Sequence, residues 1–336
     1  MIASAAIYGC EGPELTLEER KFFRETRPFG FILFARNCDT PEQIRRLVQS
    51  LRADNPAALI FIDQEGGRVA RLKPPHWKAR PPAKRFGDLY AVDQDRGRET
   101  AYLCARLIAH DLNQLGINAD CAPVLDVPAP GAHDIIGDRA YSTAPGTVIA
   151  LGRAAIDGFL DGGVLPVIKH IPGHGRAIAD SHLELPRVAT GVEELSGRDF
   201  VTFRGLNHAA MAMTAHVVYE AVDAKRPATL SPRVVRQIIR GEIGFDGLLM
   251  TDDLSMGALT GSFTARTKSA LLAGCDIVLH CNGRLDEMRE IAGEVPPLSG
   301  HALRRAEAAL SHLRAPAPLD IPRAEARLME LVGPIA

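Results

Sequence analysis

Eight short apolar runs recur along the chain, and they constrain its fold more than any other feature. They read "ASAAIYG" at 3–9, "GFILF" at 30–34, "ALIFI" at 58–62, "INADCAPV" at 117–124, "VLPVI" at 164–168, "MAMT" at 211–214, "GLLMT" at 247–251 and "DIVLH" at 276–280. None alternates strictly between apolar and polar residues. Continuous apolar strands belong to parallel sheets buried on both faces. Between the runs lie amphipathic segments, among them "LTLEERKFFRET", "PEQIRRLVQSLRA", "RETAYLCARLIAHDLNQLG", "TVIALGRAAIDGFLDGG" and "SPRVVRQIIRGEIG". Thr40 before Pro41 and Ser231 before Pro232 are helix-start signals, and several segments end at glycine. Strand and helix alternating eight times predict an α/β fold, a (β/α)8 barrel. A doubly wound sheet is the alternative, but no GxGxxG follows any strand.

The 336 residues hold one large domain or two average ones, and no linker divides them. The expectation is a single catalytic barrel over 1–336, with about 313–336 ("LRAPAPLDIPRA" and beyond) as a C-terminal tail or cap. Net charge is −2 with acids and bases interspersed, which gives no basic surface for nucleic acid. No apolar run approaches the ~20 residues of a membrane span, and the N-terminus has no basic segment ahead of an apolar stretch. The six cysteines (Cys10, Cys38, Cys104, Cys121, Cys275, Cys281) form no CxxC pair and read as reduced, mostly buried thiols. A cytoplasmic location is expected.

In a barrel of this kind the chemistry sits where the strands end. The polar residues closing the runs are Asp63, Asp120, Lys169 with His170, His216, Asp252 with Asp253, and His280; Arg36 lies just past the second run. The segment after the third run, "QEGGRVARLKPPHWKARPPAKRFGDLY", is too long and proline-rich for a minimal connection, and it carries Arg68, Arg71 and Trp77. In "LLMTDDLSMGAL", neighbours on an extended strand point to opposite sides. One aspartate is therefore expected to face the pocket, where a carboxylate serves as nucleophile or base, and the other to cap the following helix.

The stretch "KHIPGHGRAIADSHLELP" at 169–186 places a lysine, three histidines and an aspartate on a segment broken by proline and glycine. Three readings compete. A metal site would use His170 and His174, but Pro172 and Gly173 break the helix that would align them, and HExxH is absent. Histidines satisfying backbone groups in a folded loop suit His174, flanked by Gly173 and Gly175. Acid–base catalysis suits Asp180 and His182: two apart on extended chain they share a side, and an aspartate beside a histidine favours the imidazolium and fixes its tautomer.

Together, "FIDQEGGRVARL", "CAPVLDV", "IIGDRAYS", "KHIPGHGRAIADSHLELP", "MTAHVVY" and "GLLMTDDLSMGAL", in that order across about residues 30–282, resemble glycoside hydrolase family 3. More narrowly they resemble its single-domain bacterial β-N-acetylglucosaminidases of peptidoglycan recycling. The resemblance implies retaining exo-hydrolysis of terminal GlcNAc by double displacement, without cofactor or metal. Its substrates would be muropeptides such as GlcNAc-1,6-anhydro-MurNAc, with or without peptide. Asp252 would be the nucleophile, His182 the general acid/base and Asp180 its orienting partner. Asp63, Arg71, Arg139, Lys169 and His170 would hold the sugar, with Glu65, His174, His216 and Asp253 in support. A histidine in place of a second carboxyl group avoids another negative charge near Asp252 once the proton is given up; it also leaves phosphorolysis open beside hydrolysis. A monomer is expected. The second domain of many family 3 β-glucosidases is not expected after the eighth strand. Two other classes stay open: a metal-dependent barrel hydrolase and a non-catalytic sugar-binding barrel.

Overall fold

The computed structural model describes residues 2–181 and 184–333. All eight apolar runs become strands: β1 (Ser4–Gly9), β2 (Pro28–Leu33), β3 (Leu59–Ile62), β4 (Ala119–Asp120), β5 (Leu165–Ile171), β6 (Met211–Thr214), β7 (Leu248–Asp253) and β8 (Ile277–His280). They succeed one another in chain order around a closed barrel, each parallel to its neighbours, and β8 closes on β1 with Tyr8 opposite His280. This is the (β/α)8 barrel that the alternation predicts. A doubly wound sheet would have stayed open.

Side-chain alternation along the strands sorts the apolar residues into two layers. Ile7, Ile32, Phe61, Ala119, Val167, Met211, Met250 and Ile277 fill the barrel interior. Their neighbours Tyr8, Phe31, Ile60, Ile168, Ala212, Leu249 and Val278 belong to the outer layer that packs beneath the helices. At the N-terminal end of the barrel, Leu298, Ala306 and Ala309 join the interior cluster. The last two lie on a helix over Gly300–Leu310, which thereby closes the barrel bottom.

The expected helix starts are present. Pro41–Arg52 begins after Thr40, whose hydroxyl accepts the Gln43 N–H. Thr16 and Glu19 form a reciprocal capping box ahead of Leu17–Thr26. The segment after Ser231 winds over Val234–Glu242 with wide π-type turns. The excursion after β3 runs through residues 63–82 before a helix over Ala83–Val92, which a second helix, Gln94–Asn113, follows directly. It folds back so that the Gly67 N–H bonds to the Arg80 carbonyl at 2.9 Å. Gly66, at φ +95°, leaves no room for a side chain: a Cβ there would lie 2.6 Å from the Pro81 carbonyl. The C-terminal segment is irregular through residue 320 and then forms a helix over Ile321–Val332. From that helix Glu325 takes two hydrogen bonds from the buried Arg80 guanidinium (3.0 and 2.9 Å), so the last helix holds the β3 excursion from behind. Among the described residues, no helix is long and apolar enough to cross a membrane.

Candidate active site

Most of the polar strand-end residues converge on one cavity at the C-terminal rim, about 360 Å³ and open to solvent. Asp63, Glu65, Arg71, Arg139, Lys169, His170, His174, Asp252 and Asp253 all line it.

One wall is an ionic chain. Lys169 Nζ donates to Asp63 Oδ1 at 2.7 Å and lies 2.7 Å from Glu65 Oε1. Arg71 donates to Asp63 Oδ2 at 3.2 Å. Arg139 forks onto both oxygens of Glu65 at 2.9 and 2.8 Å. The Lys169 side chain is only 2% exposed and that of Glu65 8%, so these charges are shielded from solvent screening. Burial alone would raise the Asp63 carboxyl, but Lys169 and Arg71 hold it well below the ordinary carboxylate range. Burial likewise opposes ionisation of Glu65, and Lys169 and Arg139 bring it down to about 2. Burial would lower Lys169, and its two carboxylates raise it instead. The wall therefore keeps two anions and three cations at neutral pH. Fixed acceptors and fixed donors side by side suit the paired hydroxyls of a sugar.

The floor is set by Asp126, a residue that sequence reasoning did not assign. It is fully buried and accepts the backbone N–H of His174 (2.6 Å) and that of His170 (3.3 Å). Its Oδ2 lies 2.7 Å from His170 Nδ1. Burial would raise this carboxyl, but His170 outweighs it and the net shift is downward. An ionised carboxylate only accepts, so Nδ1 of His170 carries the proton toward Asp126. Gly175 passes so close to the Asp126 segment that a Cβ would sit 2.0 Å from the Val127 carbonyl. Burial pushes the His174 imidazole down to about 4, with His170 adding to the effect, so His174 is neutral.

Both aspartates of the β7 pair line the cavity, which corrects the expectation that only one would. Asp252 is in phase with the inward-facing Leu248 and Met250. Asp253 would point outward on a regular strand, but the β7–β8 ladder shifts register between Ile277 and Leu279 and turns it back. Asp253 also caps: it accepts the Ser255 N–H at 2.9 Å, the Ser255 hydroxyl at 2.6 Å and the Cys281 N–H at 3.1 Å. The Asp252 carboxylate accepts the Asp253 N–H at 2.8 Å.

Three strand-end residues lie off the cavity. His216 is fully buried behind Asp253, donating from Nε2 to its carbonyl at 3.0 Å, with Nδ1 on the Thr229 hydroxyl at 2.7 Å. Asp120 and His280 are not rim residues as the strand-end rule predicts. Asp120 is fully buried, flanked by the inward-facing Ala119 and Cys121, and accepts the Gln64 N–H at 3.0 Å; burial pushes its carboxyl up to about 8. His280 bonds Glu287 at 2.9 Å in the helix layer. Asp180 is half-buried on the loop after β5, next to Ser181, which lines the cavity. His182 lies outside the described residues. The cysteines carry no disulfide, and five of the six are buried. Among the described residues, no three His, Cys, Asp or Glu side chains are grouped to hold a metal ion.

A carboxylate at a strand end, facing a wall of alternating fixed charges on the rim of a (β/α)8 barrel, is an arrangement that suits a glycoside hydrolase. Comparison with known proteins narrows the class. Residues 14–313 match the glycosyl hydrolase family 3 N-terminal domain, and the chain belongs to that family. It is 39% identical over 287 residues to a β-hexosaminidase of Alkalilimnicola ehrlichii, spanning 84% of this chain and 82% of the relative. A β-hexosaminidase of Methylococcus capsulatus is 40% identical over 275 residues, 81% of this chain and 80% of its own. Among solved structures, NagZ from Neisseria gonorrhoeae, in complex with N-trifluoroacetyl-D-glucosamine, matches with a TM-score of 0.87 at 31% identity over 99% of both chains.

Proposed function

We propose that this chain is a retaining exo-β-N-acetylglucosaminidase that removes terminal GlcNAc from peptidoglycan fragments, GlcNAc-1,6-anhydro-MurNAc with or without peptide. The observation that carries this reading is the shared cavity: Asp252 stands in one pocket with the Asp63, Lys169, Glu65, Arg139 and Arg71 wall and with His170. The β-hexosaminidase relatives and the N-acyl-glucosamine ligand of the gonococcal structure support the choice of sugar.

In this reading the wall and His170 hold the sugar hydroxyls. Asp252 attacks the anomeric carbon as the glycosidic bond breaks, and His182, oriented by Asp180, gives its proton to the leaving oxygen. In the second half His182 takes a proton from water, which attacks the anomeric carbon. GlcNAc leaves and the Asp252 carboxylate is restored. We take residues 1–336 as one catalytic domain, acting as a cytoplasmic monomer.

The test is hydrolysis of an aryl β-N-acetylglucosaminide beside the matching aryl β-glucoside, both with excess chelator. The expected result is turnover of the N-acetyl substrate alone, unaffected by chelator and abolished in Asp252→Ala. Turnover of neither substrate, activity lost to the chelator, or near-normal turnover by Asp252→Ala would overturn the proposal.

A further inference from the structure

Ser181 separates Asp180 from His182 in the chain, and it is the described residue of that triplet that lines the cavity. It is 3% exposed. Its hydroxyl lies 3.1 Å from His174 Nε2. Its carbonyl accepts the Ala258 N–H at 3.2 Å, from the loop that succeeds Asp252 and Asp253. Ser181 is thus gripped from two sides: from the floor, through His174, and from the nucleophile's own loop.

His174 is itself fixed. Its N–H bonds to Asp126, and its ring packs edge-on against His170 with centroids 5.6 Å apart. Its Nδ1 is buried with no hydrogen-bond partner. A proton on Nδ1 would leave a buried donor unsatisfied, which costs more than an idle lone pair. The proton of the neutral ring therefore sits on Nε2 and is donated to the Ser181 hydroxyl.

From this geometry we infer that Ser181, pinned by His174, is a positioning residue for the proton-transfer step: the pin sets where the chain stands at the residues on either side of it. The inference rests on the proposed function, in which Asp180 and His182 carry that step. Consecutive Cα atoms are ~3.8 Å apart, so the spacing ties the chain next to Ser181 closely to where the pin holds it. A misplacement of ~1 Å in a reacting group costs up to ~100-fold in rate.

A positioning role separates from mere packing by its dependence on the leaving group. kcat/KM reports the first half-reaction. Protonation of the leaving oxygen matters for an alkyl β-N-acetylglucosaminide and hardly at all for the 2,4-dinitrophenyl glycoside. In full-length Ser181→Ala, kcat/KM should fall about tenfold or more on the alkyl substrate and less than about twofold on the dinitrophenyl one. His174→Phe should reproduce that split. His174→Gln, whose side-chain amide reaches where Nε2 stood, should keep the wild-type ratio of the two substrates. Equal losses on both substrates, or no loss on either, would overturn the inference. Should Ser181→Ala lose its near-UV circular dichroism, the two His174 variants decide by the same ratio. Failure of the wild-type enzyme on both glycosides would instead strike the proposed function itself, and this inference with it.

Discussion

Lys169→Met tests whether the charged wall is a mutually dependent unit. The substitution keeps the length and apolar stem of the side chain and removes only the ammonium. Asp63 retains Arg71, and Glu65 retains Arg139, but both lose the cation 2.7 Å away that bridges them. Removing one partner from a buried ionic pair costs ~3–5 kcal/mol, because the remaining charge stays desolvated. Unfolding entropy of ~2.1 cal/mol/K per residue gives about 0.7 kcal/mol/K for a chain of this length. The melting temperature should then fall by roughly 4–7 °C at pH 7.

The pH dependence carries the sharper test. In the wild type, Glu65 sits at about 2 against an ordinary 4.5, and Asp63 is also depressed. A depressed carboxyl contributes stability that is fully present above its unfolded value and lost as pH falls through the folded one. Without Lys169 the folded values rise, so that contribution shrinks at pH 7, and both carboxylates take up protons at a higher pH than in the wild type. The gap between variant and wild type should therefore narrow as pH falls from about 7 toward 4. Scanning calorimetry across that range measures it. A gap that stays constant, or one of less than about 1 °C at pH 7, would refute the treatment of the wall as a coupled buried network.

Two further outcomes rest on the same physics. Asp126→Asn replaces an acceptor-only carboxylate with a group that offers one acceptor oxygen and a competing donor. His170 then loses its fixed tautomer, and kcat/KM for an aryl β-N-acetylglucosaminide should fall about 10- to 100-fold, the effect of one charged hydrogen bond. Asp120, raised to about 8, holds its proton in the folded chain while the unfolded chain releases it near its ordinary value of 3.8, so it lowers stability as pH rises between those values. Asp120→Asn removes that dependence, and thermal melts should shift in the variant's favour from pH 4 to pH 8.

The apolar runs carried the fold because a strand buried on both faces has no freedom in composition, and eight such runs separated by amphipathic segments close in only one economical way. The site was legible where side chains obey alternation. Lys169 is in phase with Val167, and Asp252 with Leu248 and Met250, so their inward direction follows from the pattern alone. The same alternation sends His280 outward, one step from Leu279 on the cavity wall, and places Asp120 between the inward-facing Ala119 and Cys121. The strand-end rule ignores that phase and put both on the rim.

What the pattern missed lies where the ladders break. The pairing of β5 with β6 shifts between Lys169 and Ile171, and that of β7 with β8 between Ile277 and Leu279. Each shift turns a second polar residue, His170 or Asp253, onto the cavity wall beside the one that alternation already placed there. A buried N–H displaced from regular pairing must find another acceptor, and side chains supply it: Asp126 for His170, the Thr214 hydroxyl for Asp252 and the Thr251 hydroxyl for Leu279. Residues of this kind have no sequence signature, because their role is fixed by which backbone group the irregular ladder leaves over. Asp126 reads as a lone acid in "VLDV", yet it takes up backbone and imidazole donors at once. The register shifts therefore bring the site's polar pairs together and also account for the part of the site that composition and spacing leave unmarked.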